Sequence, residues 1–108
     1  MTEIRVVLVT VPDEETGLSI ARTLIQERLA ACVNLVPGLR SLYLWQGKVE
    51  DDQELLLIIK TRQDLLESLT ARVQALHPYD VAEVVALAVE GGSQAYLDWV
   101  AAETGPKG

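Results

Sequence analysis

The side chains of this sequence that could carry chemistry are few, and His77 comes first among them. It is the one histidine of the chain and stands directly before Pro78, at the predicted end of a helix. Its imidazole could bind a metal ion, or it could satisfy carbonyl groups at that helix end. The one cysteine, Cys32, opens a predicted strand, and a free thiol there is usually inert; we assign it to interface packing. Since zinc and copper sites need about three or four ligands, one chain supplies no closed site.

A second group of polar and aromatic residues lies at predicted strand ends. Lys60 closes an apolar strand and requires an anion or water nearby, and Glu83, which opens a later strand, is the candidate partner. Hydrophobic walls with a few convergent polar groups are typical of a small-ligand pocket. Beside His77, the predicted pocket at a subunit junction consists of Trp45, Lys60, Tyr79 and Glu83. Tyr43 is assigned to interface packing, where aromatic residues are enriched.

No arrangement typical of catalysis is found in the sequence. There is no glycine-rich loop that would cradle phosphate, and no Ser-His-Asp or Cys-His combination that the sequence supports. A Cys-x-x-Cys pair, which a copper chaperone of similar topology would carry, is also missing. We therefore predict no enzymatic activity and no catalytic residues.

The composition of the chain excludes some classes of binding partner. The formal net charge is −7, with acidic residues spread along the chain, so nucleic acid and anionic membranes are not expected to bind. No apolar run approaches the roughly 20 residues that cross a bilayer. The first residues lack the positive start and apolar centre of a signal peptide. With a single cysteine and hence no internal disulfide, the chain is expected to be cytoplasmic.

The elements that must position these residues follow from the hydrophobic periodicity. Predicted strands cover residues 4–11, 32–46 with a break at Pro37-Gly38, 54–61 and 81–90, with a polar turn at 47–52. Three helices are predicted after Asp13, after a capping box at Thr61-x-x-Asp64 and after Ser93. This order predicts an α+β, ferredoxin-like βαββαβ domain with an antiparallel four-stranded sheet and an added C-terminal helix. The domain would cover residues 1–103, and residues 104–108 would form a disordered tail.

The strands carry more apolar surface than one layer of helices can cover. Residues 55–59 and 84–89 are apolar on both faces, and Leu42 and Leu44 point away from Tyr43 and Trp45. A sheet with helices on one face normally leaves the other face polar. An exposed apolar sheet of this size exceeds what a monomer normally shows, so we predict self-association.

Two stretches carry a family resemblance. Residues 27–38 read ERLAACVNLVPG, and residues 41–48 read SLYLWQGK. Further matches are Lys60-Thr61, His77-Pro78-Tyr79, Glu83 and Tyr96-Leu97-x-Trp99. Together these stretches resemble the signature of the CutA family, the divalent-cation tolerance proteins, over about residues 4–101.

The resemblance implies a homotrimer built like the P-II signalling proteins and a role in tolerance of copper or other divalent cations. It makes copper or zinc the candidate ligand and His77 the candidate metal-binding residue. Some copper-binding members carry a cysteine and a second histidine at the positions of Val9 and Leu76, so their ligand set is incomplete here. Ala82, where many members carry proline, is a smaller departure. The alternative is a P-II-like scaffold for small-molecule sensing or assembly, with no metal role.

Overall fold

A computed structural model of the chain describes residues 2–106, which form a four-stranded antiparallel sheet and three helices. The strands are β1 (Ile4–Val11), β2 (Cys32–Trp45), β3 (Lys48–Arg62) and β4 (Val85–Ala88), arranged in the order β2-β3-β1-β4. The helices are α1 (Glu14–Gln26), α2 (Leu66–Leu76), which follows a 3-10 turn at Gln63–Leu65, and α3 (Gln94–Ala102). The predicted α+β fold with an added C-terminal helix is confirmed.

The core lies between one face of the sheet and helices α1 and α2. Alternate residues of a strand point to the same face, which explains why the apolar runs of β1 and β3 can fill a core at every second position. Its fully buried side chains are Val7, Val9 and Val11 of β1, Leu57 and Ile59 of β3, Ile20 and Leu24 of α1, and Leu69 and Val73 of α2. Burial of this face fixes the register of the sheet.

Two of the three predicted helix starts are confirmed. Asp13 Oδ1 accepts a hydrogen bond from the Thr16 amide at 2.7 Å, and Ser93 caps α3 in the same manner. The predicted capping box before α2 is wrong. The hydroxyl of Thr61 instead donates to the Leu29 carbonyl at 2.6 Å, because Thr61 is buried as the last core position of β3.

Strands β2 and β3 extend beyond the rest of the sheet as a two-stranded hairpin arm, residues 39–45 and 48–54. β1 pairs only with residues 55–62 of β3, so the backbone ladder of the arm joins only its own two strands. The predicted break at Pro37-Gly38 is confirmed as a register shift between Val36 and Leu39. The predicted turn at 47–52 is wrong, because Gln46 and Gly47 alone reverse the chain and residues 48–52 pair with β2.

Strand β4 is shorter than the predicted 81–90. Only Val85–Ala88 pairs with β1, opposite Leu8 to Arg5. The residues before it form a loop that follows α2, and this loop contains Glu83, which was predicted to open the strand. Hydrogen bonds hold the first residues of this loop to Thr10 of β1 and to Glu54 of the arm, as described below.

The beginning of the predicted disordered tail is packed. The Thr104 hydroxyl donates to the Val100 carbonyl at 2.8 Å, and the Gly105 amide donates to the Arg28 carbonyl at 2.8 Å. Arg28 Nε returns a bond to the Gly105 carbonyl at 2.7 Å. The tail prediction therefore fails for Thr104 and Gly105, while its last two positions, 107 and 108, lie outside the described residues.

The face of the sheet opposite α1 and α2, here called the open face, includes Leu8, Ile58, Val85 and Leu87. Helix α3 packs against β1 and β3 but leaves Val85 and Leu87 48% and 49% exposed. Within residues 2–106, no helix is long and apolar enough to cross a membrane.

Candidate functional site

His77 is buried at the C-terminal end of α2, with both ring nitrogens engaged. The Tyr79 amide donates to Nδ1 at 3.1 Å, so Nδ1 carries no proton. Nε2 therefore bears the hydrogen and donates it to the Thr10 carbonyl at 2.7 Å. The imidazole thus satisfies a carbonyl of β1 rather than one of its own helix. To bind a metal ion, it would have to give up one of these two bonds.

Tyr79 connects this loop to the start of the hairpin arm. Its hydroxyl donates to Glu54 Oε2 at 2.9 Å, and its ring lies 4.7 Å from the His77 ring between centroids. Glu54 is only 5% exposed, which is unusual for an acidic side chain. Burial and the bond to Glu54 raise the pKa of Tyr79, so its phenol remains protonated well above neutral pH.

A second phenol–carboxylate pair lies on the arm itself. The Tyr43 hydroxyl donates to Asp52 Oδ2, and this bond raises the pKa of Tyr43 to about 12. Trp45 points to the same face of β2 as Tyr43, because the two residues are two positions apart. Both rings remain about 40% exposed, at 40% for Tyr43 and 41% for Trp45.

A cleft of about 670 Å³ lies between the base of the arm and the loop that follows α2. Its aromatic walls are Tyr43, Trp45 and Tyr79, and its acidic residues are Glu54, Asp80 and Glu83. Arg40 also lines it, but two hydrogen bonds to Asp51, at 2.9 and 2.7 Å, neutralise the guanidinium. The cleft therefore combines aromatic surface with an excess of carboxylates.

Lys60 lies elsewhere. Its ammonium donates to Asn34 Oδ1 and is 3.9 Å from Cys32 Sγ. It is six residues along β3 from Glu54, which separates the two by about 20 Å. Within one chain Lys60 bonds to Asn34 and Glu83 lies at the cleft, so their pairing across a subunit junction stays a prediction. The fold brings together Trp45, Tyr79 and Glu83 of the predicted pocket but not Lys60.

Cys32 is half-buried on the open-face side of β2, opposite Lys60 in the register. Tyr96 of α3 lies against it, and burial together with the Cys32 thiol raises the pKa of Tyr96. The Tyr96 ring is also 5.7 Å from the Trp99 ring. Cys32 thus lies beside partly exposed aromatic residues of α3, apart from the cleft.

Metal ligands do not converge within the part of the chain that is described. Between residues 2 and 106, no three His, Cys, Asp or Glu side chains lie close enough together to hold an ion. At the two positions where some family members carry a cysteine and a histidine, Val9 is fully buried in the core and Leu76 packs against that core. Both positions therefore serve packing.

Sequence reasoning missed Glu54 and Asp52, which bond to the two phenols. Both occupy the same face of β3 as Leu56 and Ile58, two residues apart in each step. When an acidic residue occupies the same face of a strand as a series of apolar residues at every second position, its carboxylate is expected to be buried or paired. The third missed group, the Thr10 carbonyl, left no signal because every residue type carries one.

The sequence matches known proteins over nearly its whole length. The family profile described as CutA1 divalent ion tolerance protein matches residues 5–103. The Divalent-cation tolerance protein CutA of Thermus thermophilus is 57% identical over 100 residues, which cover 93% of this chain and 97% of that protein. The chloroplastic Protein CutA of Arabidopsis thaliana is 60% identical over 95 residues, which cover 88% of this chain and 52% of that protein. The chain thus spans about half the length of the plant relative.

Solved structures agree with the fold. The Thermus thermophilus divalent cation tolerance protein superposes with a TM-score of 0.93 at 56% identity, covering 94% of this chain and 99% of the other. CutA from Xylella fastidiosa superposes with a TM-score of 0.94 at 41% identity, covering 96% of this chain and 100% of the other.

Proposed function

Because the chain belongs to the CutA1 divalent ion tolerance family, we propose that it supports divalent-cation tolerance as a homotrimer. A cation such as copper or zinc would bind weakly where subunits meet. The names of the relatives support a tolerance role and no catalytic one. The free Cys32 suits a reducing compartment, and we propose the cytoplasm as the location.

The apolar surface left uncovered by a single chain carries this proposal. Val85 and Leu87 are half exposed on the open face, and Leu42, Leu44 and Val49 of the arm are 65%, 72% and 73% exposed. Apolar residues clustered in this way mark an interaction surface rather than ordinary scattered exposure. A second and third copy of the chain can cover both regions with the same kind of apolar surface.

The ligand geometry of one chain supports a subunit junction as the place where a metal ion would bind. Transition-metal sites need several convergent ligands, and residues 2–106 of one chain bring no three of them together. Glu83 is exposed at the edge of the cleft and can combine with ligands from a neighbouring subunit. His77 could join only by releasing Thr10 or Tyr79, which supports its structural role over its role as a ligand.

Isothermal titration of the metal-free oligomer with copper(II) and zinc(II), in a weakly chelating buffer, tests this proposal. We expect saturable binding near one ion per chain or per trimer, because assembly completes the ligand set. Glu83→Gln should weaken it by about tenfold, the loss of one ligand interaction of about 1.4 kcal/mol. Glu67→Gln, which removes an exposed acid of α2 outside the cleft, should leave it unchanged. An absence of saturable binding would remove metal from the proposal.

The cleft itself favours a second function, the binding of a small molecule by a P-II-like scaffold with no metal role. Pockets for small ligands occupy about 300–1,000 Å³ and combine apolar walls with a few polar groups. The cleft of about 670 Å³, with its three aromatic rings, meets this description.

A further inference from the structure

The carboxylate of Glu54 is the least expected feature of the cleft. It is 5% exposed, yet within residues 2–106 its one hydrogen bond comes from a neutral phenol, that of Tyr79. The ion pairs found between residues 2 and 106 involve Arg28, Arg40, Arg62 and Arg72, and none of them includes Glu54. Buried carboxylates are normally balanced by a cation. A cation that enters the cleft would supply that balance.

The walls of the cleft indicate which cation fits. Tyr43, Trp45 and Tyr79 present aromatic rings, whose negative faces attract organic cations. Glu83 and Asp80 add two exposed carboxylates at the rim, while the charge of Arg40 is neutralised by Asp51. The net charge of −7 also raises the local concentration of cations around the chain.

An inorganic divalent ion suits this cleft less well. Calcium and magnesium require six or more oxygen ligands at about 2.0–2.6 Å, and no three acidic side chains converge among the described residues. The phenols of Tyr43 and Tyr79 donate to carboxylates and have raised pKa values, so they are not phenolate ligands. Aromatic faces stabilise a weakly hydrated organic cation instead.

We propose that the cleft binds a primary alkylammonium ion, with its charged group near Glu54 and its hydrocarbon chain against Tyr43, Trp45 and Tyr79. The proposal rests on the second function given above, small-molecule binding, and names the class of the ligand. Because Glu83 is also the proposed ligand of a metal ion at a subunit junction, the binding of organic cations is measured on metal-free protein.

The binding can be followed through Trp45. The chain has two tryptophans, so Trp99→Phe leaves Trp45 as the sole tryptophan reporter in the cleft. The intact protein carrying this substitution would be titrated with n-pentylammonium chloride, 1-pentanol and sodium pentanoate at constant ionic strength. We expect saturable change of Trp45 fluorescence with n-pentylammonium, and affinities at least about tenfold weaker for 1-pentanol and pentanoate.

Charge variants test the position of the ammonium group. In the same background, Glu54→Gln should weaken n-pentylammonium binding about tenfold or more, while its amide oxygen can still accept from Tyr79. Glu83→Gln, at an exposed position that does not endanger folding, should weaken it severalfold. Glu90→Gln removes an exposed acid outside the cleft and should have no effect. Circular dichroism would confirm that each variant is folded.

Three results would overturn the proposal, and they are distinguishable. Equal binding of 1-pentanol and n-pentylammonium would refute the ammonium class but retain a small-molecule cleft. If none of the three probes bound saturably, both the alkylammonium class of ligand and the small-molecule function would be refuted. Unchanged n-pentylammonium binding in folded Glu54→Gln would show that the cation does not lie at Glu54.

Discussion

Two side chains near the cleft, those of His77 and Tyr79, connect elements of the fold. The His77 imidazole ties the end of α2 to β1 through Thr10 and orients the following loop through Tyr79. The Tyr79 hydroxyl then connects this loop to Glu54 at the start of the arm by a hydrogen bond. A chain of hydrogen bonds thus joins a helix end, a core strand and the arm.

Replacing His77 by alanine should destabilise the protein. The Thr10 carbonyl and the Tyr79 amide lose their partner in a site where His77 is only 7% exposed, so we expect a loss of about 2 kcal/mol in the free energy of unfolding. Denaturant unfolding at one fixed protein concentration would measure it. Gln74→Ala, at an exposed position of the same helix, should change stability by less than about 0.5 kcal/mol.

The opposite pattern would contradict the structural role of His77. If His77→Ala retained full stability and instead abolished copper or zinc binding, the imidazole would be a metal ligand. The position of His77 before Pro78 predicts that it ends a helix, but sequence could not identify its acceptor. Thr10 lies 67 residues away and offers a main-chain oxygen that no pattern marks.

The hairpin arm is the element that departs most from a plain ferredoxin-like sheet. A two-stranded ribbon is marginally stable by itself. The arm adds to its own ladder side-chain hydrogen bonds between diagonal neighbours, Arg40 with Asp51 and Tyr43 with Asp52. Its turn is correspondingly tight. Gln46 and Gly47 have φ angles of 50° and 80°, and positive φ at both central positions is typical of a type I′ turn.

Substitutions in this turn should have opposite effects. Gly47→Ala should lower the free energy of unfolding by about 1 kcal/mol, because a Cβ is strained at positive φ. Gln46→Asn should raise thermal stability, since asparagine tolerates this conformation better than glutamine does. Gly91→Ala, where an added Cβ would meet open space and φ is not positive, is the matched control. An unchanged melting temperature for Gly47→Ala would show that the turn is not formed as described.

Element boundaries were predictable where a residue imposes them locally. Asp13 caps α1 and Pro37-Gly38 interrupts β2, since each acts through its own backbone or side chain. The start of β3 at Lys48 was missed because its polar residues resemble a loop, and only pairing with β2 makes them a strand. The length of β4 was missed because pairing with β1, not apolar character, sets its ends.

At the scale of the whole molecule, the chain is elongated, and its helices cover only part of its apolar surface. Its extents are 46 × 25 × 22 Å, and the arm accounts for the long axis because it projects past β1. Exposed apolar residues occur on both faces of the arm and on the open face. The excess of apolar residues in the strands predicts this, but the sequence does not indicate which of them remain exposed.

One apolar position on each side of the sheet allows a matched test of assembly. Leu87 on the open face is 49% exposed, and Ile25 on the outer side of α1 is 43% exposed. Leu87→Lys should dissociate the oligomer, because it places a charge in the proposed contact surface. Ile25→Lys introduces the same charge at similar exposure but away from that surface, and should leave the assembly intact.

The most direct measurement is therefore the mass of the protein in solution, by size exclusion with light scattering at micromolar concentration. We expect three times the chain mass of 11.8 kDa for the unmodified protein and for Ile25→Lys, and a smaller mass for Leu87→Lys. A mass of 11.8 kDa for the unmodified protein would contradict the proposal that copies of this chain cover its apolar surface.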